Sequence, residues 1–522
     1  MRLKGLRTGG TKNNLRGVGS KVEIKAGLHY QMRVVRAPVT HFGLGKQARA
    51  DLMRVTWSNG VPQNVLRPSA DQTITEVQIL KGSCPFLYCW DGERFTFVTD
   101  LLGASPLGLQ VAEGVVAPHN PRELMTVPGD RIAVRDGDYV FQFTEELWET
   151  VYLDEVGLWV VDHPPGVEVF TDQRFLPPPY APPRPMLTRG RVRPVRAEDS
   201  RGREVTERLL AFDHRYPERL RPSRYQGIVA PHALTLYFGE VRGLDHPLLA
   251  IGCWIFWTDT SINVSMSQGR AVTPSLPVVE VWHPVSGWQT LDAPFGLPTG
   301  KDKWVMLDLG DALYAPDARV RIRTNYQIYW DQAFLTDAAP EAPHRITRLG
   351  PRSADLHYGG FSRMYRPSED GPHLFDYTQR VSLPLWPDME GMATRYGDVT
   401  ELLTAADDRY VIMTAGDEVT VRFDAGALPR LRPGWERDFL FLSDGWDKDA
   451  DKNTVTGDRV GPLPFHAMSA YPYPASETYP DGEAHRVYRA RYNTRRIGPE
   501  GFRAFVKTYG GAPVPALPWE AR

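Results

Sequence analysis

Apolar and polar residues alternate along most of this chain, in short runs that glycine and proline interrupt. Residues 22–25, 30–35 and 53–57 show the pattern near the start, and residues 233–238 and 278–282 repeat it in the middle. A period of two places alternate side chains on one face, which predicts half-buried β-strands. The pattern therefore predicts a mainly β fold, with several β-sandwich or jelly-roll domains of galactose-binding type in tandem and few short helices.

One segment has features of a helix instead of a strand. Residues 398–406 place Asp398 at a capping position with Glu401 three residues later, a combination that favours a helix start. Within the β pattern, Asp91-Gly92 is a turn dipeptide that predicts a hairpin over residues 87–98.

Composition divides the 522 residues into successive parts. Clusters of proline and arginine separate the strand-rich stretches, and such clusters are typical of connectors. The predicted parts are a β module at 1–78, a β-rich module at 79–170, a Pro/Arg-rich connector at 171–203, a galactose-binding-like β-sandwich at 204–338, a Pro-rich loop region at 339–395, and a second β-sandwich with an acidic loop and C-terminal tail at 396–522.

Charge and hydropathy narrow the class of protein. The formal net charge is −2, which predicts no nucleic-acid partner. Residues 1–6 lack the apolar core of a signal peptide, and the longest apolar run, 248–257, is too short to span a bilayer. Three cysteines (Cys84, Cys89 and Cys253) are too few for a disulfide framework, so we expect each of them to be a small buried residue. The alternative is a Cys84–Cys89 disulfide that closes a small loop.

The densest candidate chemistry lies in residues 444–454, which we call the acidic loop. Asp447, Asp449, Asp451 and Asn453 place oxygen-bearing side chains at alternate positions. Carboxylates spaced in this way repel one another on a strand, so we expect a loop here. Calcium takes six to eight oxygen ligands, and loops with this spacing supply them.

Against an EF-hand loop the match is good at its start and poor at its end. Asp458 falls at position twelve as a shortened ligand, and Lys452 replaces the sharp-turn glycine. We therefore predict a calcium loop on a β scaffold, with Asp444 as a further ligand. The alternative is an exposed acidic turn neutralised by Lys448, Lys452 and Arg437.

A weaker catalytic candidate is His466, just beyond the acidic loop. Together with Asp444 and Asp447 it could form a mixed histidine–carboxylate site for a transition metal or for acid–base chemistry. The alternative is a packed, hydrogen-bonded histidine. A second acidic group is interpreted as a solvated strand face instead of paired catalytic carboxylates, and it consists of Glu145, Glu146, Glu149 and Asp154.

Aromatic residues supply a candidate ligand-binding surface. Trp254, Trp257, Trp288 and Trp330 lie in the predicted sandwich at 204–338, where loop aromatics of such domains often bind sugars. The alternative is that they fill the sandwich core, where alternating aromatic residues belong. No nucleophile elbow, P-loop, dinucleotide fingerprint or zinc-protease helix occurs in the sequence, which removes the common enzyme classes.

Residues 13–27, 41–45 and 55–63 resemble the ASPIC/UnbV domain, which follows FG-GAP β-propellers in bacterial proteins and in cartilage acidic protein. The remainder resembles the long extension found after that domain in some bacterial members. Its landmarks here are 83–88, 144–149, 161–164, 329–331 and 444–446. The calcium-binding propeller that precedes the domain in the family is missing from this sequence.

The resemblance implies an extracytoplasmic binding or scaffold protein that works with a protein partner or with the missing propeller. A cytoplasmic location stays open, because no signal peptide is visible. Two other functions stay open too. One is an enzyme or accessory protein of enediyne-type secondary metabolism, and the other is a glycan-binding β-sandwich protein. The family has no common reaction, so whether the chain is an enzyme is undecided, with a non-enzymatic role favoured.

Overall fold

A computed structural model describes residues 1–10, 12–80, 82, 84–217, 219–269, 271–366 and 371–509. Ser83 of one family landmark, Pro367 of the Pro-rich region and the tail at 510–522 lie outside these residues. The first part, which we call the N-terminal module, holds a four-stranded sheet in the order β3-β2-β4-β5 and a parallel pair, β1 with β6. Its strands are β1 (Arg2–Lys4), β2 (Lys21–Ala26), β3 (His29–Val34), β4 (Leu52–Thr56), β5 (Pro62–Leu66) and β6 (Thr75–Val77).

The next strands contribute to two larger sheets. The Asp91-Gly92 turn joins the first two strands as a hairpin, as the dipeptide predicted. These strands are β7 (Phe86–Trp90), β8 (Phe95–Asp100), β9 (Gln110–Ala112), β10 (Val115–Val116), β11 (Arg122–Val127), β12 (Val134–Arg135), β13 (Asp138–Thr144) and β14 (Glu149–His163).

A complete sandwich follows, which we call the inserted sandwich (residues 167–338). Its elements are β15 (Val167–Phe170), β16 (Arg174–Phe175), β17 (Met186–Val192), β18 (Arg196–Glu198), β19 (Ile228–Gly239), β20 (Pro247–Ile255), α1 (Thr260–Gln268), β21 (Val278–His283), β22 (Gly287–Thr290), β23 (Leu297–Pro298), β24 (Lys303–Asp308), β25 (Ala318–Tyr326) and β26 (Ile328–Ala338). One sheet runs β15-β17-β26-β20-β24 and the other β18-β19-β25-β21-β22, with an apolar core between them.

The chain then returns to the earlier sheets. Its elements are β27 (Arg345–Leu349), β28 (Ser353–Tyr358), β29 (Phe361–Tyr365), β30 (Leu374–Val381), β31 (Gly391–Ala393), β32 (Gly397–Asp398), β33 (Val411–Thr414), β34 (Asp417–Asp424), β35 (Glu436–Asp449), α2 (Glu483–Arg491), β36 (Arg495–Ile497) and α3 (Pro499–Thr508).

Strands from both sides of the insertion form what we call the composite sandwich. β35 lies between β11 and β14 in one sheet, and β34 lies between β13 and β28 in the other. β14 and β35 pair from Glu149↔Asp449 to His163↔Glu436, the longest antiparallel ladder among the described residues. Buried Phe141, Phe423 and Phe441 fill the space between the two sheets. Alternate residues of each strand face this core, and β13, β14 and β35 are largely buried on their other face as well.

The mainly β fold is as predicted, but two of the expected parts and one expected helix differ in the structure. Parts 79–170 and 396–522 share the composite sandwich, since β11 and β14 are hydrogen-bonded to β35. The stretch 171–203 is not a connector, because β17 pairs with β15 and β26 inside the inserted sandwich. The helix expected at 398–406 is a 3-10 turn at Thr400–Leu403, where the Asp398 carboxylate accepts the Thr400 amide at 2.9 Å.

A buried ion-pair group fastens the inserted sandwich to the composite sandwich. Lys301 Nζ lies 2.8 Å from Asp100 Oδ2, and Lys303 Nζ lies 3.2 Å from Asp100 Oδ1. All three side chains are buried. The three cysteines are buried and none of them forms a disulfide. Of the helices within the described ranges, none has the length and apolarity that a bilayer crossing requires.

Candidate functional site

The candidate site begins with an irregularity in β14. The register against β35 shifts between Leu153 and Glu155, so that Asp154 is the extra residue of a β-bulge. Leu153 and Val156 both pack in the core of the composite sandwich, which leaves Asp154 and Glu155 together on the other face. Bulges re-aim side chains in this way and are frequent beside functional sites.

Asp408 approaches Asp154 from the loop before β33. It has a positive φ of 65°, a conformation that aspartate tolerates better than most residues. Its backbone amide donates to Asp154 Oδ2 at 2.9 Å. Its own Oδ1 lies 2.8 Å from the hydroxyl oxygen of Tyr410 and accepts the His466 amide at 2.9 Å. These hydrogen bonds fix the loop before β33 to β14 on one side and to the segment that carries His466 on the other.

His466 joins these carboxylates on the outer face of the sheet. Its Nδ1 lies 2.7 Å from Asp408 Oδ1 and 3.7 Å from Asp154 Oδ2. On the other side of the ring, Nε2 lies 2.9 Å from Asp444 Oδ1. The edge of the ring packs on Trp446 with 4.7 Å between ring centroids. We call Asp154, Asp408, Asp444 and His466 the His466 cluster.

Asp444 is held in turn by Arg122, whose Nη1 lies 3.2 Å from Asp444 Oδ2 and 2.8 Å from Glu155 Oε2. Carboxylates accept hydrogen bonds from both ring nitrogens, Asp408 at Nδ1 and Asp444 at Nε2, so His466 is held as the doubly protonated imidazolium. Metal-binding histidines are typically oriented by such a hydrogen bond on the nitrogen that does not bind the metal.

The two ionisable groups at the centre have strongly shifted pKa values. Burial by itself lowers the pKa of His466, but hydrogen bonds and charges from Asp408 and Asp444 outweigh it and raise that pKa to about 10. Burial raises the pKa of Asp154 to about 7, against the backbone N–H groups of Asp408 and Asp407 and the charge of His466. Asp154 Oδ1 is buried and accepts no hydrogen bond within the described part of the chain.

The cluster has the geometry of a cation site. One ligand atom from each of Asp154, Asp408 and His466 lies within 4.8 Å of the others. A nitrogen with two carboxylate oxygens suits a transition-metal cation better than calcium, which prefers oxygen ligands alone. His466 is partly exposed, so the centre is open to solvent. Across the residues that the structure describes, this is the one group of three or more such side chains with this spacing.

The acidic loop is only partly a loop, because β35 continues to Asp449. The expectation that repelling carboxylates would prevent a strand is wrong for Asp444 and Asp447, which are buried on it. Asp444 stays on the strand because His466 and Arg122 offset its charge. Asp447 and Asp449 line a mostly apolar cavity of about 110 Å³ together with Leu102.

The remaining predicted calcium ligands lie in different surroundings and bind different partners. Asp451 Oδ2 lies 3.1 Å from Lys12 Nζ, and Asp451 Oδ1 accepts the Ser261 hydroxyl at 2.5 Å. Asn453 is exposed and donates to Ser261 Oγ at 2.8 Å. Asp458 is exposed beside Arg459, 3.3 Å away. His466 is brought together with Asp444 as expected, and with Asp154 and Asp408 in place of Asp447.

Among the described residues, Lys12 of the N-terminal module supplies a cation beside the acidic loop. The three basic residues that the sequence suggested as counter-charges have other partners among the described residues. Lys448 is buried and donates to the Val460 carbonyl at 2.8 Å. Arg437 pairs with Asp162, and Lys452 lies over the Trp148 ring. Side chains alternate along a strand, so Lys448 points away from its acidic neighbours.

The four tryptophans do not form one platform. Trp330 belongs to the core of the inserted sandwich, and Trp288 packs on Trp282 with ring centroids 5.5 Å apart. Trp254 and Trp257 line a small apolar cavity of about 80 Å³ that Trp386 also borders.

Sequence reasoning missed Asp154 and Asp408. Asp154 was assigned with Glu145, Glu146 and Glu149 to a solvated face, and all four are buried. One signal was present in the sequence: the alternation in β14 breaks at Asp154-Glu155, as it does at a bulge. Asp408 carried no such signal, since its place depends on how the loop folds back on β14.

Comparisons with known proteins identify one part of the chain. Residues 10–79 match the family model described as ASPIC and UnbV, so the N-terminal module carries this domain. A search of curated proteins gave no match. Among solved structures, the arabinofuranosyltransferase AftD from Mycobacteria is 11% identical with a TM-score of 0.13, a likeness too low to carry any argument. The alignment covers 81% of this chain and 29% of AftD, so the chain spans less than a third of that protein.

Proposed function

We propose that this protein is a binding scaffold of the ASPIC/UnbV type whose fold is completed by a bound divalent cation. The observation that carries the proposal is the convergence of Asp154, Asp408 and His466. The three residues come from β14, from the loop before β33 and from the segment after β35. A cation held by all three would cross-link segments that lie far apart in sequence and add its binding free energy to the stability of the fold.

The donor set favours a transition-metal cation such as Zn²⁺ or Mn²⁺ at the His466 cluster. His466 Nδ1 would release its proton to solvent when it binds the cation, while Asp444 keeps the hydrogen bond from Nε2, and water could take an open position on the exposed side. Calcium at the acidic loop is a separate proposal, supported by the oxygen-rich sequence from Asp447 to Asn453. The Lys12 ammonium beside Asp451 competes with a cation there.

Thermal unfolding of the untagged full chain, with elemental analysis before and after chelation, tests both sites. We expect Zn²⁺ or Mn²⁺ to raise Tm, with a stabilisation of about 2.7 kcal/mol when free cation is at 100 times Kd. Asp408→Asn should remove the transition-metal shift and leave any calcium shift, whereas Asp449→Ala should do the reverse.

Asp355→Asn is the matched control, because Asp355 forms a separate exposed pair with His357, at 3.4 Å. It should leave every shift unchanged. If demonstrably metal-free chain shows no change in Tm with any of these cations, the proposed cation-dependent scaffold is wrong.

A protein partner and an extracytoplasmic location are the finer parts of this proposal. They are supported by the ASPIC/UnbV match and by an exposed edge strand, β3, at the end of the module's sheet. Leu28, Met32 and Val34 are 96%, 50% and 44% exposed on and beside this strand. Unpaired edges with apolar side chains are suited to strand addition by a partner such as a β-propeller.

We expect Met32→Lys to abolish complex formation with a propeller encoded beside this gene, measured by light scattering of the mixed proteins. Val285→Lys, at an 89% exposed position of the inserted sandwich, is the control and should bind normally. Normal binding by Met32→Lys would exclude this docking edge, and recovery of the native protein in the cytosolic fraction would exclude the proposed location.

A further inference from the structure

A cavity of about 660 Å³ lies where three parts of the chain meet. We call it the junction cavity. The N-terminal module contributes the Asn59-Gly60 turn, the inserted sandwich contributes α1, and the chain after β35 contributes residues 451–453. Sites for small molecules are commonly of this size and are often found between domains.

The walls of the junction cavity are tied together before any ligand arrives. Lys12 bridges Asp451 and Asp259, the residue that caps α1. Next to it, Thr260 Oγ1 lies 2.8 Å from Thr454 Oγ1, which joins α1 to the chain after β35. A preformed site loses little conformational entropy when it binds, so more of the contact energy appears as affinity.

On the module side, Asn13 holds the turn that forms the rim. Asn13 Oδ1 accepts the Ser58 hydroxyl at 2.8 Å and the Asn59 amide at 3.1 Å. Gly60 follows with φ of 90°, and a Cβ at this position would lie 3.2 Å from Lys452 Cε. The glycine therefore lets the Lys452 side chain pass close over the turn.

The charge that a ligand would meet in the cavity is Lys452. Lys12 already holds Asp259 and Asp451, and Lys21 lies 2.9 Å from Glu23. Lys452 is exposed, lies 5.7 Å from the centre of the Trp148 ring, and has no carboxylate within ion-pair distance in the described part of the chain. An ammonium group in a concave site attracts anions more strongly than the same group on a flat surface.

The rest of the lining combines hydrogen-bonding groups with apolar side chains such as Trp57 and Ile262. Ser265 and Asn453 are exposed at the mouth, and Asn59 and Thr56 lie opposite them. Hydroxyl and amide groups at this density match a ligand that carries several hydroxyl groups of its own. The indole ring of Trp148 provides one apolar wall.

We propose that the junction cavity binds a small polyhydroxylated anion, of the size of an acidic mono- or disaccharide. Lys452 would pair with its carboxylate, sulfate or phosphate group, and Ser265, Asn453 and Asn59 would bind its hydroxyl groups. This site is distinct from the four tryptophans considered from sequence, and it does not depend on a cation at the His466 cluster.

Isothermal titration of the full chain at low salt, with chelator present, tests the inference. The probes are digalacturonate, a sulfated disaccharide, glucose 6-phosphate and neutral maltose. We expect an acidic probe to bind with an affinity that falls as salt rises, and maltose to bind at least about tenfold more weakly. Comparison among the three acidic probes identifies the anionic group.

Lys452→Glu should weaken binding of the acidic probe by at least about tenfold, because it replaces attraction with repulsion at the anion. Lys4→Glu makes the same change of charge on the exposed face of β1, outside the cavity, and should bind as the unchanged chain does. Both substitutions are at exposed positions, and an unchanged Tm confirms that each variant folds. Equal loss in the two variants, equal binding of maltose, or no binding of any acidic probe at millimolar concentration would overturn the inference.

Discussion

At the scale of single residues, several carboxyl groups are buried with few partners, and Asp388 is one that can be tested alone. Its Oδ1 accepts the Thr414 hydroxyl at 2.6 Å. Burial raises the pKa of Asp388 to about 6; the hydrogen bond from Thr414 opposes this shift, the charge of Asp417 adds to it, and Arg495 reduces it. The folded protein therefore binds this proton more tightly than the unfolded chain does.

A group with a raised carboxyl pKa contributes stability below its unfolded pKa of about 3.9 and loses that contribution as pH rises through about 6. Asp388→Asn cannot ionise, so it should avoid this loss. Between pH 4 and pH 7, its unfolding free energy should rise relative to the unchanged chain by about 2 kcal/mol. Urea unfolding across this range measures the difference, with exposed Asp311→Asn as the control. Parallel pH curves for Asp388→Asn and the unchanged chain would contradict the assignment.

At the scale of elements, Asp100 at the end of β8 lies against Lys301, two residues before β24, and Lys303, the first residue of β24. A buried ion pair is a poor source of net stability, but removal of one partner leaves buried charge without compensation. This group therefore acts mainly as a constraint on how the inserted sandwich sits against the composite sandwich.

We expect Asp100→Ala to reduce the unfolding free energy by about 3 to 5 kcal/mol, because two buried ammonium groups lose their counter-charge. Replacing all three residues together by Leu, Met and Met should cost far less. Asp136→Asn removes an exposed 4.0 Å pair with Arg135 and tolerates the positive φ of 53° at this position, so it should cost about 1 kcal/mol or less. Urea unfolding measures all three, and a cost for Asp100→Ala no larger than that for Asp136→Asn would disprove the constraint.

The strands themselves were largely predictable, since alternation at 22–25 and 278–282 coincides with β2 and β21. The strand that forms part of the acidic loop was not predictable. The sequence shows the repulsion among the carboxylates of this loop, but it does not show that the Arg122 and His466 side chains offset part of it. Only half of the His466 cluster could be predicted from the sequence, for the same reason. His466 and Asp444 are close in sequence, whereas Asp154 and Asp408 reach them only through the fold.

At the scale of the whole molecule, the error in the expected domain boundaries has one cause. Alternation shows that a segment is a strand and which residues it buries, but not which strand lies beside it. β14 pairs with β35 across the entire inserted sandwich, and β13 pairs with β34 in the same way. A sequence read in order suggests tandem domains, whereas the structure closes one domain around another.

This nesting determines the order in which the protein can form during synthesis on the ribosome. The inserted sandwich has all its strands once β26 has emerged. β14 must wait for β35: His163 and Asp438, in contact at 3.1 Å, are 275 residues apart. At a translation rate of about 5 to 20 residues per second, that interval lasts roughly 15 to 55 seconds. The nascent chain therefore carries the apolar half of an unfinished core for about half of its synthesis, next to an inserted sandwich that has already folded.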